Sequence, residues 1–152
     1  MALSGQVGAS AVASLLLDTH IALWLDAGDK RLRHDTAGRI EKCWHEGGLV
    51  LFSAVVAMEL AQLVERGRIR LDCSVDRWIE RFADLQGIER ISIGHSAAAG
   101  AYALPDLEHR DPADRLLIAQ AIEHNCPLVT YDEKITRFAQ AHGARYGFSV
   151  AA

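Results

Sequence analysis

Nowhere does the chain string together the ~20 apolar residues that a membrane-spanning helix needs, and its opening, MALSGQVGASAVAS, lacks the basic stretch of a secretory signal. A cytoplasmic protein without a membrane anchor is therefore expected. Cysteine is scarce too. Cys43, Cys73 and Cys126 are odd in number, widely spaced, and form no CxxC, so neither a disulfide framework nor a zinc site is indicated and reduced thiols are expected. Positive charge is not in excess. The formal net charge is −4, which withholds the usual basic signature of a nucleic-acid binder. It does not exclude phosphate ligands, because a local arginine patch beside a metal-filled acidic pocket can still hold them. No repeat, low-complexity tract or linker divides the 152 residues, and a chain of that length buries about two-thirds of its unfolded surface as one domain. Residues 1–12 are expected to be a disordered lead-in, and residues 13–152 the domain.

What is present is an alternation of short apolar runs with amphipathic segments. Leu15-Leu16-Leu17 reads as a buried parallel strand ending at Asp18, with Thr19 capping a helix through Ile21 to Leu25. Asp35 is placed to cap a helix reaching Glu46, before Gly47-Gly48. Leu49 to Phe52 is a second buried strand, and Ser53 caps a helix over Ala54–Arg66. A helix near Val75–Leu85, a strand over Ile88–Ile93 and an Ala-rich helix over Ser96–Leu104 follow. Beyond them lie Pro127–Thr130 as a strand, a helix ending near Gln140 and an edge strand over Arg145–Val150. Trp24, Trp44 and Trp78 sit on the apolar stripes and read as core. Strands alternating with helices predict an α/β fold, a three-layer α/β/α sandwich around a mostly parallel sheet.

One segment, HRDPADRLLIAQA (109–121), concentrates chemistry. Asp111 is a natural N-cap, Pro112 suits the first helical position and Asp114 falls at the third. The helix is then apolar nearly all round, so it is buried on more than one side. Two acids at a helix start are most simply caps favoured by the helix dipole. Other acids converge on them, however. In an open parallel sheet, ligands bind beyond the carboxyl ends of the strands. Asp18 follows the first strand directly and Asp132 follows the fourth. Glu59 lies within two turns of the second strand, on the apolar side of its helix, where an unpaired carboxylate is costly. Asp18, Glu59, Asp114 and Asp132 can thus share one rim. Crowded carboxylates repel, and a hard cation such as Mg²⁺ or Mn²⁺ relieves that conflict.

The ordered set LLLDTHIALWL, SAVVAMELAQL, HRDPADRLLIAQA and PLVTYDEKI resembles a PIN-domain ribonuclease, in particular the VapC-type toxins of toxin–antitoxin pairs, over roughly Leu15 to Phe148. The resemblance implies a PIN-like fold and metal-dependent hydrolysis of RNA, leaving 5′-phosphate and 3′-hydroxyl ends. It implies catalytic and metal-binding roles for Asp18, Glu59, Asp114 and Asp132, with Asp111 an accessory ligand or a cap. It also implies a homodimer and a cognate antitoxin, the latter lying in an apolar groove beside Leu60, Leu63 and Val64. Ala113 stands where the family usually has an aromatic, which removes apolar bulk but no ligand. Arg110 and Arg115 flank the acids and could grip phosphate or pair with the neighbouring aspartates. His20 and His109 lie near the rim as candidate hydrogen-bond donors to substrate, and Thr130 is placed to hold an aspartate. One alternative is a non-catalytic PIN-like module that only binds RNA or protein. Another is a phosphoacceptor receiver domain, which needs paired acids at the first strand and a lysine after the last; the chain has neither.

Overall fold

The structure is a computed structural model that describes residues 13–152; the lead-in expected over 1–12 lies outside the described residues. The elements run β1 (Leu15–Leu17), α1 (Thr19–Ala27), α2 (His34–His45), β2 (Val50–Ser53), α3 (Ala54–Glu65), α4 (Val75–Ala83), β3 (Ile88–Ile91), α5 (His95–Gly100), α6 (Pro112–Glu123), β4 (Leu128–Val129), α7 (Glu133–Tyr146) and β5 (Val150–Ala151). The strands form one sheet in the order β3-β2-β1-β4-β5, every pairing parallel. All residues of β1, β2 and β4 are buried. Successive strand side chains point to opposite faces, so helices must cover both, as the three-layer sandwich requires.

Strand order reverses at β1, which leaves β2 on one side and β4 on the other. The chain therefore opens a crevice beyond the carboxyl ends of β1 and β4, the place where such sheets bind ligands. Beside β2 an aromatic group fills the core: Trp78 stacks on Phe82 with ring centres 4.9 Å apart, and Phe52 meets Phe82 edge-on at 5.4 Å. The indole N–H of Trp78 donates to Asp26 at 2.9 Å, so burying that ring strands no polar group. Trp24 and Trp44 are only half-buried. The three cysteines are free thiols.

Several boundaries differ from the sequence expectation. Asp18, not Thr19, is the N-cap of α1. Arg33, not Asp35, precedes α2, and no side chain caps it. The Ala-rich helix ends at Gly100. The last helix runs on to Tyr146, so the expected strand over Arg145–Val150 shrinks to Val150–Ala151. The reason is local. Gly143 is a helical residue whose missing side chain makes room for Phe148, the Phe148 carbonyl oxygen lying 2.4 Å from where a Cβ would sit. Gly147, at φ 66°, is the residue that stops the helix.

Candidate active site

The four acids arrive on four different elements. Asp18 leaves the end of β1 with its N–H donating to the Val129 carbonyl at 3.0 Å, so the ladder to β4 places it directly. Its carboxylate accepts from the Thr19 N–H at 2.7 Å and the Thr130 hydroxyl at 2.6 Å. Burial nonetheless holds its pKa above the ordinary carboxylate range, with the Asp132 charge adding to the effect against these hydrogen bonds and nearby His20. Glu59 projects from α3 and accepts a 2.6 Å hydrogen bond from the Thr19 hydroxyl. Its pKa too is raised, by burial first and then by Asp18 and Asp111.

Asp132 caps α7 by accepting from the Ile135 N–H at 2.9 Å, while its own N–H donates to the Thr130 hydroxyl oxygen at 3.0 Å. Thr130 thus ties Asp18 and Asp132 together, in keeping with its expected supporting role. Asp114 sits in the first turn of α6. Its carboxyl is pushed up to about 7, by burial first and then by Asp111, Asp18, Glu59 and Asp132. The directly observed proximity is that of Asp114 to Asp132, whose carboxylate oxygens lie within 4.8 Å of each other. Asp111 keeps its capping hydrogen bond from the Ala113 N–H at 2.9 Å, yet its charge reaches both Glu59 and Asp114.

The other candidate residues divide. His109 is drawn inward: its Nε2 lies 2.7 Å from Asp114 Oδ2. Imidazole and carboxylate are thus in direct contact, both side chains largely buried. His20 is exposed beside the Trp24 ring, the ring centres 5.6 Å apart. Arg110 is exposed at the mouth. Arg115 neither faces the pocket nor pairs with an aspartate. Its guanidinium donates to three backbone carbonyls, those of His109 at 2.8 Å, Leu107 at 2.8 Å and Ala101 at 3.1 Å. It is a clamp on the segment leading into α6.

With this geometry in view, comparison with known proteins is decisive. Residues 15–141 match the PIN domain. The chain belongs to the PIN-domain family. It is also similar to ribonuclease VapC22 of Mycobacterium tuberculosis, 39% identical over 124 residues that cover 82% of this chain and 91% of that protein. Among solved structures, VapBC2 from Rickettsia felis bound to a promoter DNA fragment superposes with a TM-score of 0.62 at 17% identity, covering 91% of this chain and 97% of that one. A toxin–antitoxin complex from Klebsiella pneumoniae superposes with a TM-score of 0.53, also at 17% identity, covering 90% and 96%. At such identities the two structures speak for the fold.

A PIN-domain site of this make-up suits a divalent cation. Ligand atoms of His109, Asp114 and Asp132 all lie within 4.8 Å of one another. Carboxylates in the majority favour a hard cation, and a cation would cancel the mutual repulsion of the acids. Two contributors escaped the sequence reading. Thr19, taken there as a cap, is fully buried and orients Glu59. Gln120, buried in α6, joins the Ser53 hydroxyl to the Ser92 carbonyl and so braces the ends of β2 and β3. Its signal was available: it is a polar residue inside a helix apolar on nearly every side.

Proposed function

We propose that this PIN-domain protein is a metal-dependent endoribonuclease, the toxin member of a toxin–antitoxin pair. The observation that carries the proposal is the convergence of ligand atoms of His109, Asp114 and Asp132 within 4.8 Å of one another, with Asp18 tied to Asp132 through Thr130. A fold that needed only helix caps would have no reason to gather that much negative charge. Similarity to a ribonuclease over most of the chain supports the same reading. In this proposal Asp18, Asp114 and Asp132 hold the cation, and Glu59 either joins them or orients the attacking water. Thr130 fixes the Asp18 and Asp132 pair, and Thr19 fixes Glu59. Bound Mg²⁺ or Mn²⁺ would supply Lewis-acid polarisation of the scissile phosphate and stabilise charge on the leaving oxygen.

The partner side of the proposal is an antitoxin segment covering α3, where Met58 is 46% and Val64 37% exposed, together with homodimer formation. Exposed apolar side chains of that size suit a protein surface that is covered in use. The test is cleavage of structured RNAs with Mg²⁺ or Mn²⁺, with and without chelator, for the wild type, Asp18→Asn and Asp114→Asn. Cation-dependent cleavage lost in both folded variants is expected. Undiminished cleavage in either variant would overturn the site, and RNA binding without any cleavage by the wild type would favour a non-catalytic module.

A further inference from the structure

A second concavity opens beside the acids. It encloses about 690 Å³ between the loop at residues 106–111 and the first three turns of α7, within the ~300–1,000 Å³ range of ligand sites. His109 and Asp111 line it, and His109 also touches Asp114, so the cleft adjoins the acids. Its α7 wall carries Lys134, Arg137 and His142, and Arg110 stands opposite. Lys134 and Arg137 are three residues apart on α7 and so share a face. Of the three acids on the loop wall, Asp106 is already committed to Arg145 and Tyr146, at 2.6 Å each, Asp111 caps α6, and Glu108 is exposed. Arg137 makes one 3.2 Å pair with Glu133, both side chains at least three-quarters exposed, a contact that water competes with readily. Lys134 and Arg110 have no acidic partner within 4.0 Å among the described residues. The floor offers the edge of Phe138, 5% exposed, beside Leu107 and Ala141.

We propose that this cleft seats the RNA strand next to the scissile phosphate, with Lys134 and Arg137 as positioning residues that hold its backbone phosphates. The inference rests on the ribonuclease reading above and adds where the substrate lies. The cleft suits phosphate oxygens better than base edges, because its cations are long, exposed and without a rigid polar frame. It therefore confers affinity with little sequence preference. It also gives an acidic chain of net charge −4 a local pair of α7 cations for a polyanion to meet.

The experiment compares the full-length wild type with Lys134→Ala/Arg137→Ala and with Arg66→Ala/Arg68→Ala. The last pair removes the same charge from exposed positions beyond the far end of α3. Binding of a labelled single-stranded RNA is measured in chelator over a range of salt, and kcat and KM are measured with Mn²⁺. For the cleft pair, a several-fold weaker Kd is expected, with a salt-dependence slope shallower by about 1.4, at ~0.7 per single-strand phosphate contact. KM should rise with kcat little changed, and unchanged melting temperatures would show that the fold is intact. The Arg66/Arg68 pair should leave binding, KM and kcat as in the wild type. Equal weakening by both pairs, or an unaltered Kd and slope in the cleft pair, would overturn the inference. Loss of cleavage in Asp114→Asn with RNA binding unaltered in the cleft pair would refute the cleft while sparing the ribonuclease reading. RNA binding that depends on the cleft, in a wild type that cuts no RNA with either cation, would do the reverse.

Discussion

Arg115 separates two views of the segment before α6, and replacing it with lysine decides between them. Residues 101–110 have no regular ladder, so the three carbonyls held by Arg115 are a main constraint on their path. A planar guanidinium can serve three acceptors at once; a lysine ammonium on a flexible stem cannot span them. Hydrogen bonds from a charged donor contribute ~1.5–3 kcal/mol each, but three from one side chain do not add, and water replaces part of the loss. Arg115→Lys should therefore cost roughly 2–4 kcal/mol. For a chain of this size that lowers the melting temperature by roughly 5–15 °C, at about 2–4 °C per kcal/mol. Thermal and urea unfolding give the size of the effect, and hydrogen exchange should show amides over 101–110 losing protection first. Cleavage should fall as well, because His109 and Asp111 ride on this segment. A melting temperature within about 1 °C of wild type, combined with a raised KM, would refute the clamp and favour Arg115 as a phosphate grip.

Three further outcomes follow from the site. Asp114 titrates at about 7 against an ordinary 3.8, so on raising the pH the unfolded chain gives up its proton before the folded one. Stability in chelator should thus be fully present below about 4 and fall by roughly 2–4 kcal/mol as pH rises through about 7. Denaturation curves at stepped pH check this: Mn²⁺ should restore the loss and Asp114→Asn should flatten the profile, whereas a flat wild-type profile would refute it. Thr130→Val removes the donor to Asp18 and the acceptor for the Asp132 N–H, costing ~1–3 kcal/mol. It should also raise the Mn²⁺ concentration needed for half-maximal cleavage, and Thr130→Ser should recover most of it; equal defects in the two variants would count against the hydroxyl. Gln120→Leu leaves the Ser53 hydroxyl and Ser92 carbonyl without their partner and should destabilise by ~2–4 kcal/mol, visible in urea unfolding; wild-type unfolding would show that the brace contributes nothing.

The local parts of this architecture could be read from the chain. Asp111-Pro112 announces its helix because a carboxylate cap and a ring with fixed φ act within a few residues, and Ser53 caps its helix for the same reason. Apolar runs such as Leu15–Leu17 identify buried strands, and acids immediately after strand ends identify the rim. What escaped depends on contacts far apart in sequence. Thr19 looked like a cap because its partner Glu59 is 40 residues away. Arg115 looked like a phosphate ligand because its charge is legible while its reach to Ala101 is not. The end of α7 was missed because the helix runs on to Tyr146 with Phe148 folding back against Gly143, a contact the local pattern does not carry. Lys134 and Arg137 carry no signal beyond exposed helix charge, and acquire significance only from the loop opposite them.

The strand order also sets a timetable. β1 is made first yet lies at the centre of the sheet, and the groups that close one of its edges, Pro127 and Val129, come more than 100 residues later. At ~5–20 residues per second, a ribosome leaves that apolar edge without its neighbour for roughly 5–20 s. An open apolar edge invites pairing with other chains, so the interval is when this protein is most exposed to aggregation. The same closure brings Asp18 against Thr130 and Asp132. Nascent chains therefore lack a complete acidic pocket until their final fifth has emerged, and a chain truncated before Asp132 should be harmless however well its first half folds.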